Sequence, residues 1–191
     1  LIPITILLGV DGFAQSTSEP DFTPVTQGML NDPNPQDWLM WRGGYENWGY
    51  SPLTEINRDN VDDLRLAWSW EFAPAAPGSN GMQVEPTVYD GVMYIRHSNE
   101  KYSAHNAANG DLIWEYSRPL ASEVTGYETR LTVHRGRGVF IYEDKLISQA
   151  TDGMLFALDP RDGSLIWEVA MQDFRSGQQP SGAPVAFNGS L

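Results

Sequence analysis

Short runs of apolar and β-branched residues, separated by turn-forming dipeptides, fill the middle of the chain. Four of them lie close together, at Thr87–Tyr89, Val92–His97, Tyr102–Asn106 and Leu112–Tyr116. Asp90-Gly91 separates the first two runs and Asn109-Gly110 separates the last two. Such dipeptides adopt the positive φ angles of tight hairpin turns. The pattern therefore predicts four antiparallel strands joined by short turns.

The same module recurs further along the chain. Residues 104–115 read AHNAANGDLIWE and residues 157–168 read ALDPRDGSLIWE, so six of twelve positions are identical at an offset of 53 residues. A third copy begins at Ala183-Pro184. A period near 50 residues with four strands per unit is typical of a propeller blade, and propellers close with about 4 to 8 blades. We predict an all-β fold, part of a β-propeller with two complete four-stranded blades and the start of a third.

Each copy carries a tryptophan at the same place in its last predicted strand, Trp114 in the first and Trp167 in the second. The stacking of repeats predicts that the ring covers the neighbouring blade and that the indole N–H reaches a carbonyl there. Residues 61–68 (VDDLRLAW) place Trp68 at the equivalent point without the preceding strands of a blade. We expect this stretch to be the outer strand that completes the last blade of a longer, closed ring.

Composition divides the chain into three parts. Residues 1–10 are nearly all apolar and are followed by small residues, so residues 1–15 are predicted to be a signal-peptide remnant. They lack a basic leader, and an unrelated apolar segment is the alternative. Residues 16–36 are rich in Pro, Ser, Thr, Asp and Asn, which predicts an extended lead-in. Residues 37–191 are predicted to be the partial propeller domain.

Composition also excludes several kinds of partner and site. The chain has 12 Lys and Arg against 25 Asp and Glu, a formal net charge of −13. This charge argues against nucleic-acid binding, because phosphate contacts need basic residues. The chain has no cysteine, so disulfides, Cys-ligated zinc and covalently attached c-type haem are excluded within it. His97, His105 and His134 lack the spacing of a metal site, and no metal ligand is predicted among them.

The repeat and the segment before it resemble the quinoprotein alcohol dehydrogenases, which depend on pyrroloquinoline quinone (PQQ). The resemblance rests on the repeated GxLIWE motif and on an entry segment that looks like the family's amino-terminal signature, with Trp41-Arg42-Gly43-Gly44, Tyr50-Ser51-Pro52-Leu53 and Ile56-Asn57. It covers residues 37–191. It implies an eight-bladed, periplasmic parent protein that holds PQQ with calcium or a lanthanide on its central axis.

The resemblance implies that the parent oxidises a small alcohol to an aldehyde with hydride transfer to the quinone. An electron-accepting cytochrome c or quinone would be its partner. The family's metal ligands, catalytic carboxylate and stacking tryptophan belong to later blades, so none is expected before Leu191, and this chain alone is expected to be inactive. A non-enzymatic scaffold of the outer-membrane assembly type shares the repeat and is the alternative.

Three residues match family positions that contact PQQ. Gln83 stands three residues before the Pro of the first blade, and Ser181 stands at the same place in the third. Arg137 occupies the position of an arginine that binds the acidic groups of the quinone, and its planar fork suits carboxylates. Each residue also has a second interpretation, as a polar cap of backbone groups at a blade end. Many members have adjacent cysteines where this chain has Leu131-Thr132, which leaves the subfamily open.

Overall fold

The computed structural model describes residues 22–71, 83–97, 100–120, 137–176 and 182–191. These ranges contain one α-helix, α1 (Gln27–Asn31), and short 3-10 turns at Trp41–Gly43, Val61–Asp63 and Phe174–Ser176. They also contain eight strands, β1 (Thr87–Tyr89), β2 (Val92–Arg96), β3 (Lys101–Asn106), β4 (Leu112–Ser117), β5 (Phe140–Tyr142), β6 (Lys145–Gln149), β7 (Met154–Leu158) and β8 (Leu165–Ala170). The predicted signal-peptide remnant lies outside the described residues.

The strands form two antiparallel sheets, in the orders β1-β2-β3-β4 and β5-β6-β7-β8, which we call blade one and blade two. The register shifts at the same place in both, after Ala104 in blade one and after Ala157 in blade two. Phe187 pairs with Ser190 across a turn and begins a third hairpin. The predicted all-β repeat, with two complete four-stranded units and the start of a third, is confirmed.

The turns of a blade are of two kinds. Asp90 and Gly91 both have positive φ angles, 48° and 74°, as a two-residue hairpin turn requires. At Asn109-Gly110 only the glycine has a positive φ, 80°, and its N–H donates to the carbonyl of Asn106 (2.8 Å) across a longer loop. The predicted tight turn was therefore wrong at this place. The loop instead presents Gly110 to the ring of Trp68, which lies 2.7 Å from where a Cβ would stand.

Trp114 docks on the following sheet, as predicted, and Trp68 docks in the same way on blade one. The indole N–H of Trp114 donates to the carbonyl of Pro160 in blade two (2.9 Å), and its ring lies against Gly163. The indole N–H of Trp68 donates to the carbonyl of Ala107 in blade one (3.0 Å). Ala107 and Pro160 are equivalent positions of the two repeats, so a single docking geometry recurs.

Aromatic side chains fill the space between the blades. Tyr102 of β3 is fully buried, and its ring meets Phe156 of β7 edge-on, with 5.2 Å between the ring centroids. Tyr116 of β4 packs beside both rings. Burial of each large apolar side chain contributes about 1.5–3 kcal/mol, so this layer holds the two blades as one body.

The lead-in is more ordered than its composition predicts. Val25 is buried and exchanges backbone hydrogen bonds with Glu143 at the end of β5 (2.9 and 2.8 Å), and Leu30 of α1 is buried as well. Both side chains belong to the same buried cluster as the core of the two blades, so contacts with the blades order this stretch. The boundaries 1–15, 16–36 and 37–191 remain predictions.

Residues 64–71 form no strand in the structure, and Leu66 is 83% exposed. Apart from the docked Trp68, this stretch has a largely exposed apolar face. Its predicted role as the outer strand of a last blade stays a prediction. In the part of the chain that the structure describes, we find no helix with the length and apolar character of a membrane span.

Candidate functional site

The innermost strands of the two blades begin side by side. Residues 83–86 lead into β1 and residues 137–139 lead into β5, and we call these stretches the rim segments. The Glu85 N–H donates to the carbonyl of Arg137 (3.3 Å), and the buried Thr87 hydroxyl donates to the carbonyl of Val139 (2.7 Å). The structure therefore brings two of the predicted cofactor residues, Gln83 and Arg137, to the same edge.

Gly138 allows the rim segments to touch. Its φ is +131°, and a Cβ at this position would stand 2.7 Å from the carbonyl oxygen of Glu85. A side chain cannot fit against a backbone oxygen at that distance, and the φ angle itself disfavours one. The glycine after Arg137 is thus explained by the close approach of two backbones.

The Arg137 side chain is exposed and lies over an aromatic ring. Its guanidinium carbon is 5.2 Å from the centroid of Trp41, within the range of about 6 Å for a cation–π interaction. Among the described residues, no carboxylate forms an ion pair with Arg137. The guanidinium is therefore held in place while its charge is not neutralised by an acidic side chain of this part of the chain.

A short turn carries Trp41 to the rim. Trp38 pairs with Val88 of β1 through two backbone hydrogen bonds (2.7 and 2.9 Å), so the entry segment runs along the inner edge of blade one. The Glu85 carboxylate accepts hydrogen bonds from the indole N–H of Trp38 and from the Arg42 backbone N–H (2.9 Å). Arg42 has a positive φ of 58°, which turns the chain sharply after Trp41.

Sequence reasoning missed the contribution of Glu85 and the contact between Trp41 and Arg137. Glu85 lies two residues after Gln83, but its partners stand 47 and 43 residues earlier, and no repeat links them. The aromatic residues that lie among glycines in the entry segment were the sequence signal that could have pointed to this contact. Of these, Trp38 and Trp41 reach the blades, whereas Trp48 is 76% exposed.

Gln83 is exposed at the start of its rim segment. Ser181 and Leu131-Thr132 lie outside the described residues. The next residue after Ser181, Gly182, accepts a hydrogen bond through its carbonyl from the Gln149 side chain at the end of β6 (2.6 Å). The assignments of Gln83, Arg137 and Ser181 to a cofactor site stay predictions.

The two described histidines lie within blade one. His97 and His105 both contact the hydroxyl of Ser103 through Nε2, at 2.5 and 2.8 Å, and all three side chains are buried. Burial lowers the pKa of His97 to about 4. The described residues contain no group of three or more His, Cys, Asp or Glu side chains that could hold a metal ion. His134 lies outside the described residues.

Residues 38–181 match the protein family described as "PQQ: Glucose/ethanol/alcohol dehydrogenase, beta-propeller domain". The chain belongs to this family of PQQ propellers. The match covers both blades, the rim segments and the entry turn.

Individual members of the PQQ propeller family are similar to this chain at moderate identity. The quinohemoprotein alcohol dehydrogenase of Comamonas testosteroni is 35% identical over 159 residues, which is 81% of this chain and 21% of that protein. The dehydrogenase subunit of the alcohol dehydrogenase (quinone) of Gluconacetobacter polyoxogenes is 32% identical over 162 residues, 84% of this chain and 21% of that protein. The chain therefore spans about a fifth of the length of these relatives.

Solved structures of alcohol dehydrogenases also superimpose on this chain. The quinohemoprotein alcohol dehydrogenase ADHIIG of Pseudomonas putida HK5 superimposes with a TM-score of 0.71 at 29% identity, over 88% of this chain and 25% of that one. A europium-containing methanol dehydrogenase superimposes with a TM-score of 0.70 at 25% identity, over 85% of this chain and 27% of that one. The predicted family and fold are thereby confirmed.

Proposed function

We propose that this chain forms the first blades of a PQQ-dependent alcohol dehydrogenase that oxidises small alcohols to aldehydes. The family match and the names of the relatives, which are alcohol dehydrogenases of the quinone and quinohemoprotein types, support this proposal. The observation that carries it is the exposed guanidinium of Arg137 at the rim, held on Trp41 and not paired with any described carboxylate.

The residues at the rim fit the proposed cofactor. PQQ carries carboxylates, and a guanidinium binds a carboxylate through two parallel charge-assisted hydrogen bonds. Gln83 adds an exposed amide at the same edge, which donates through its nitrogen and accepts through its oxygen. Ser181 completes the proposed set with a hydroxyl on the third blade.

When bound, PQQ would supply the electrophilic quinone that accepts hydride from the alcohol. The role proposed for Arg137 is to bind and orient an acidic group and to stabilise negative charge through a fixed positive charge. The role proposed for Gln83 is to hydrogen-bond the cofactor through its side-chain amide. The metal ligands for calcium or a lanthanide and the general base are assigned to later blades, in keeping with the fraction of its relatives that this chain spans.

We also propose that the protein is periplasmic and passes electrons to a cytochrome c or a quinone. The apolar residues 1–10 and the small residues after them support export. Amino-terminal sequencing of the mature protein tests the proposed export. A mature chain that starts at Gln15 or Ser16 is expected, and one that retains residues 1–10 in the periplasmic fraction contradicts cleavage.

The function is tested on the complete protein, in which this chain is followed by the remaining blades, reconstituted with PQQ and either Ca²⁺ or a lanthanide. We expect alcohol-dependent reduction of an artificial electron acceptor. Arg137→Gln should weaken PQQ binding by about 10- to 100-fold, because a hydrogen bond to a charged group is worth about 1.5–3 kcal/mol.

Arg65→Gln is the matched control, since Arg65 is exposed and its guanidinium contacts only backbone carbonyls of its own segment. It should leave PQQ binding unchanged. The 191-residue chain alone is expected to bind PQQ weakly and to show no turnover. If the complete protein neither binds PQQ nor oxidises alcohols, the proposal fails and the scaffold alternative is favoured.

A further inference from the structure

Glu85 connects three parts of the rim that are far apart in the sequence. Its carboxylate accepts hydrogen bonds from the Trp38 indole and from the Arg42 backbone N–H, on either side of Trp41. Its own backbone N–H donates to the carbonyl of Arg137. One residue therefore fixes both the turn that carries Trp41 and the backbone that carries Arg137.

The contact between these two side chains depends on that arrangement. Trp41 sits within a 3-10 turn whose next residue, Arg42, has a positive φ of 58°, a conformation that costs free energy for any residue except glycine. The turn is closed locally, because the Gly43 N–H donates to the Met40 carbonyl and the Gly49 N–H donates to the Arg42 carbonyl (both 3.0 Å). The Glu85 carboxylate ties this closed turn to the rim segment of blade one. Without that tie, we expect the Trp41 ring to move from its place 5.2 Å from the Arg137 guanidinium.

An exposed arginine otherwise samples many rotamers. Immobilising such a side chain on ligand binding has a cost in conformational entropy, and pre-ordering in the free protein removes part of this cost. A cation–π contact at an exposed site supplies a free energy of comparable size. The aromatic ring can therefore hold the guanidinium ready for a carboxylate.

We infer that Glu85 and Trp41 are positioning residues that pre-order Arg137 for the cofactor. This inference rests on the proposed function for the role of Arg137, but its structural part concerns the free protein. Glu85 fixes the Trp38–Arg42 turn, the turn places the Trp41 ring, and the ring holds the guanidinium. Neither Glu85 nor Trp41 needs to touch the cofactor.

The first experiment measures the arginine in the cofactor-free 191-residue chain by NMR. The Trp41 ring current should shift the Arg137 Hδ and Hε signals upfield, and Trp41→Leu should abolish the shift. Glu85→Ala should abolish it as well, whereas Glu85→Gln should retain it, because the amide oxygen still accepts both hydrogen bonds. Trp48→Leu is the control and should change nothing, since Trp48 is 76% exposed.

Arg137 signals at ordinary positions in the wild-type chain would overturn the inference. So would a shift that survives Trp41→Leu or Glu85→Ala. Trp41→Phe keeps a smaller ring at the same place and should retain a reduced shift, so the test still stands if the leucine variant fails to fold.

The second experiment measures PQQ affinity of the complete protein by equilibrium dialysis. Trp41→Leu should weaken binding about two- to fivefold, Trp41→Phe should restore part of the loss, and Trp41→Leu should have no further effect once Arg137→Gln is present. Additive effects would show that Trp41 acts independently and would refute positioning. Loss of affinity in Arg137→Gln without loss in Trp41→Leu defeats this inference alone, whereas unchanged affinity in Arg137→Gln defeats the proposed cofactor site.

Discussion

Gly110 and Gly163 lie directly beneath the rings of Trp68 and Trp114. A Cβ at Gly163 would stand 2.6 Å from the Trp114 ring, which is closer than packed carbon atoms approach. Both glycines also have positive φ angles, 80° and 76°. The glycine of the GxLIWE motif is therefore required twice, once by the backbone and once by the ring above it.

These two requirements can be separated experimentally. Gly163→Ala should lower the free energy of unfolding through the unfavourable φ, about 1–2 kcal/mol, and through overpacking, about 1–3 kcal/mol more. Gly91→Ala is the matched control, because Gly91 has a φ of +74° and no atom within 4 Å of its added Cβ. Urea denaturation of both variants gives the difference. Equal losses would show that the ring contact contributes nothing.

At the scale of the strand, two buried residues of β3, Ser103 and His105, form a hydrogen-bonded chain with His97, which follows β2 directly. His105 Nδ1 faces the carbonyl of Gly110 (3.2 Å), which only accepts, so this nitrogen carries the proton and Nε2 of the neutral ring accepts from the Ser103 hydroxyl. Ser103 in turn accepts from Nε2–H of His97. When both imidazole rings are neutral, each N–H or O–H group from His97 through Ser103 to His105 therefore has one acceptor.

Acid should weaken blade one through His97. Burial, opposed by Glu115 and reinforced by His105 and Lys101, lowers its pKa to about 4 from an ordinary value of 6.5. The unfolded chain binds the proton first, so stability present above pH 6.5 is lost as the pH falls towards 4. His97→Gln keeps a donor for Ser103 without titrating there, and its unfolding free energy should fall less over this interval.

Urea titrations of both proteins at pH 7 and pH 4.5 measure the difference. Other groups titrate in both proteins, so only the excess loss in the wild-type chain reports on His97. Parallel losses in the two proteins would contradict the assignment.

The elements of the blades were predictable because each occurs twice. The strand patterns, the docking tryptophan and the loop glycine of one module all recur 53 residues later, so each copy supports the prediction made from the other. Val25 and Glu85 offered no such signal, since their partners are Glu143 and the Trp38–Arg42 turn, which belong to no repeat. Gln83 and Arg137 were predicted as site residues from the resemblance to the quinoprotein family, whereas the Trp41 ring beneath Arg137 belongs to the entry segment, outside the repeat.

At the scale of the whole molecule, a buried carboxylate joins the two blades. Glu100 of blade one is fully buried and accepts hydrogen bonds from Arg96 (2.7 Å), from the Tyr102 hydroxyl (2.8 Å) and from the Thr151 backbone N–H of blade two (3.0 Å). Arg96 also donates to the carbonyl of Gln149 (2.9 Å). The ion pair within blade one is thus completed by backbone groups of its neighbour.

Removal of this carboxylate should loosen both blades. Glu100→Ala leaves Arg96 buried without its counter-ion and should cost about 3–5 kcal/mol of unfolding free energy. Glu115→Ala is the matched control, because its ion pair with Lys101 has a similar length, 2.9 Å, but a glutamate side chain that is 40% exposed. That change should cost about 0–1 kcal/mol. Similar denaturation midpoints for the two variants would refute the link between blades.

The direction of the tryptophan contacts has a consequence for the growing polypeptide. Trp68 binds 39 residues ahead of itself and Trp114 binds 46 residues ahead, so both of the described indole hydrogen bonds point towards chain that is made later. During synthesis or export, we therefore expect each of these two indole rings to stay uncovered until the sheet on which it docks has emerged. Until then, the exposed ring is a site at which the growing chain needs protection from aggregation.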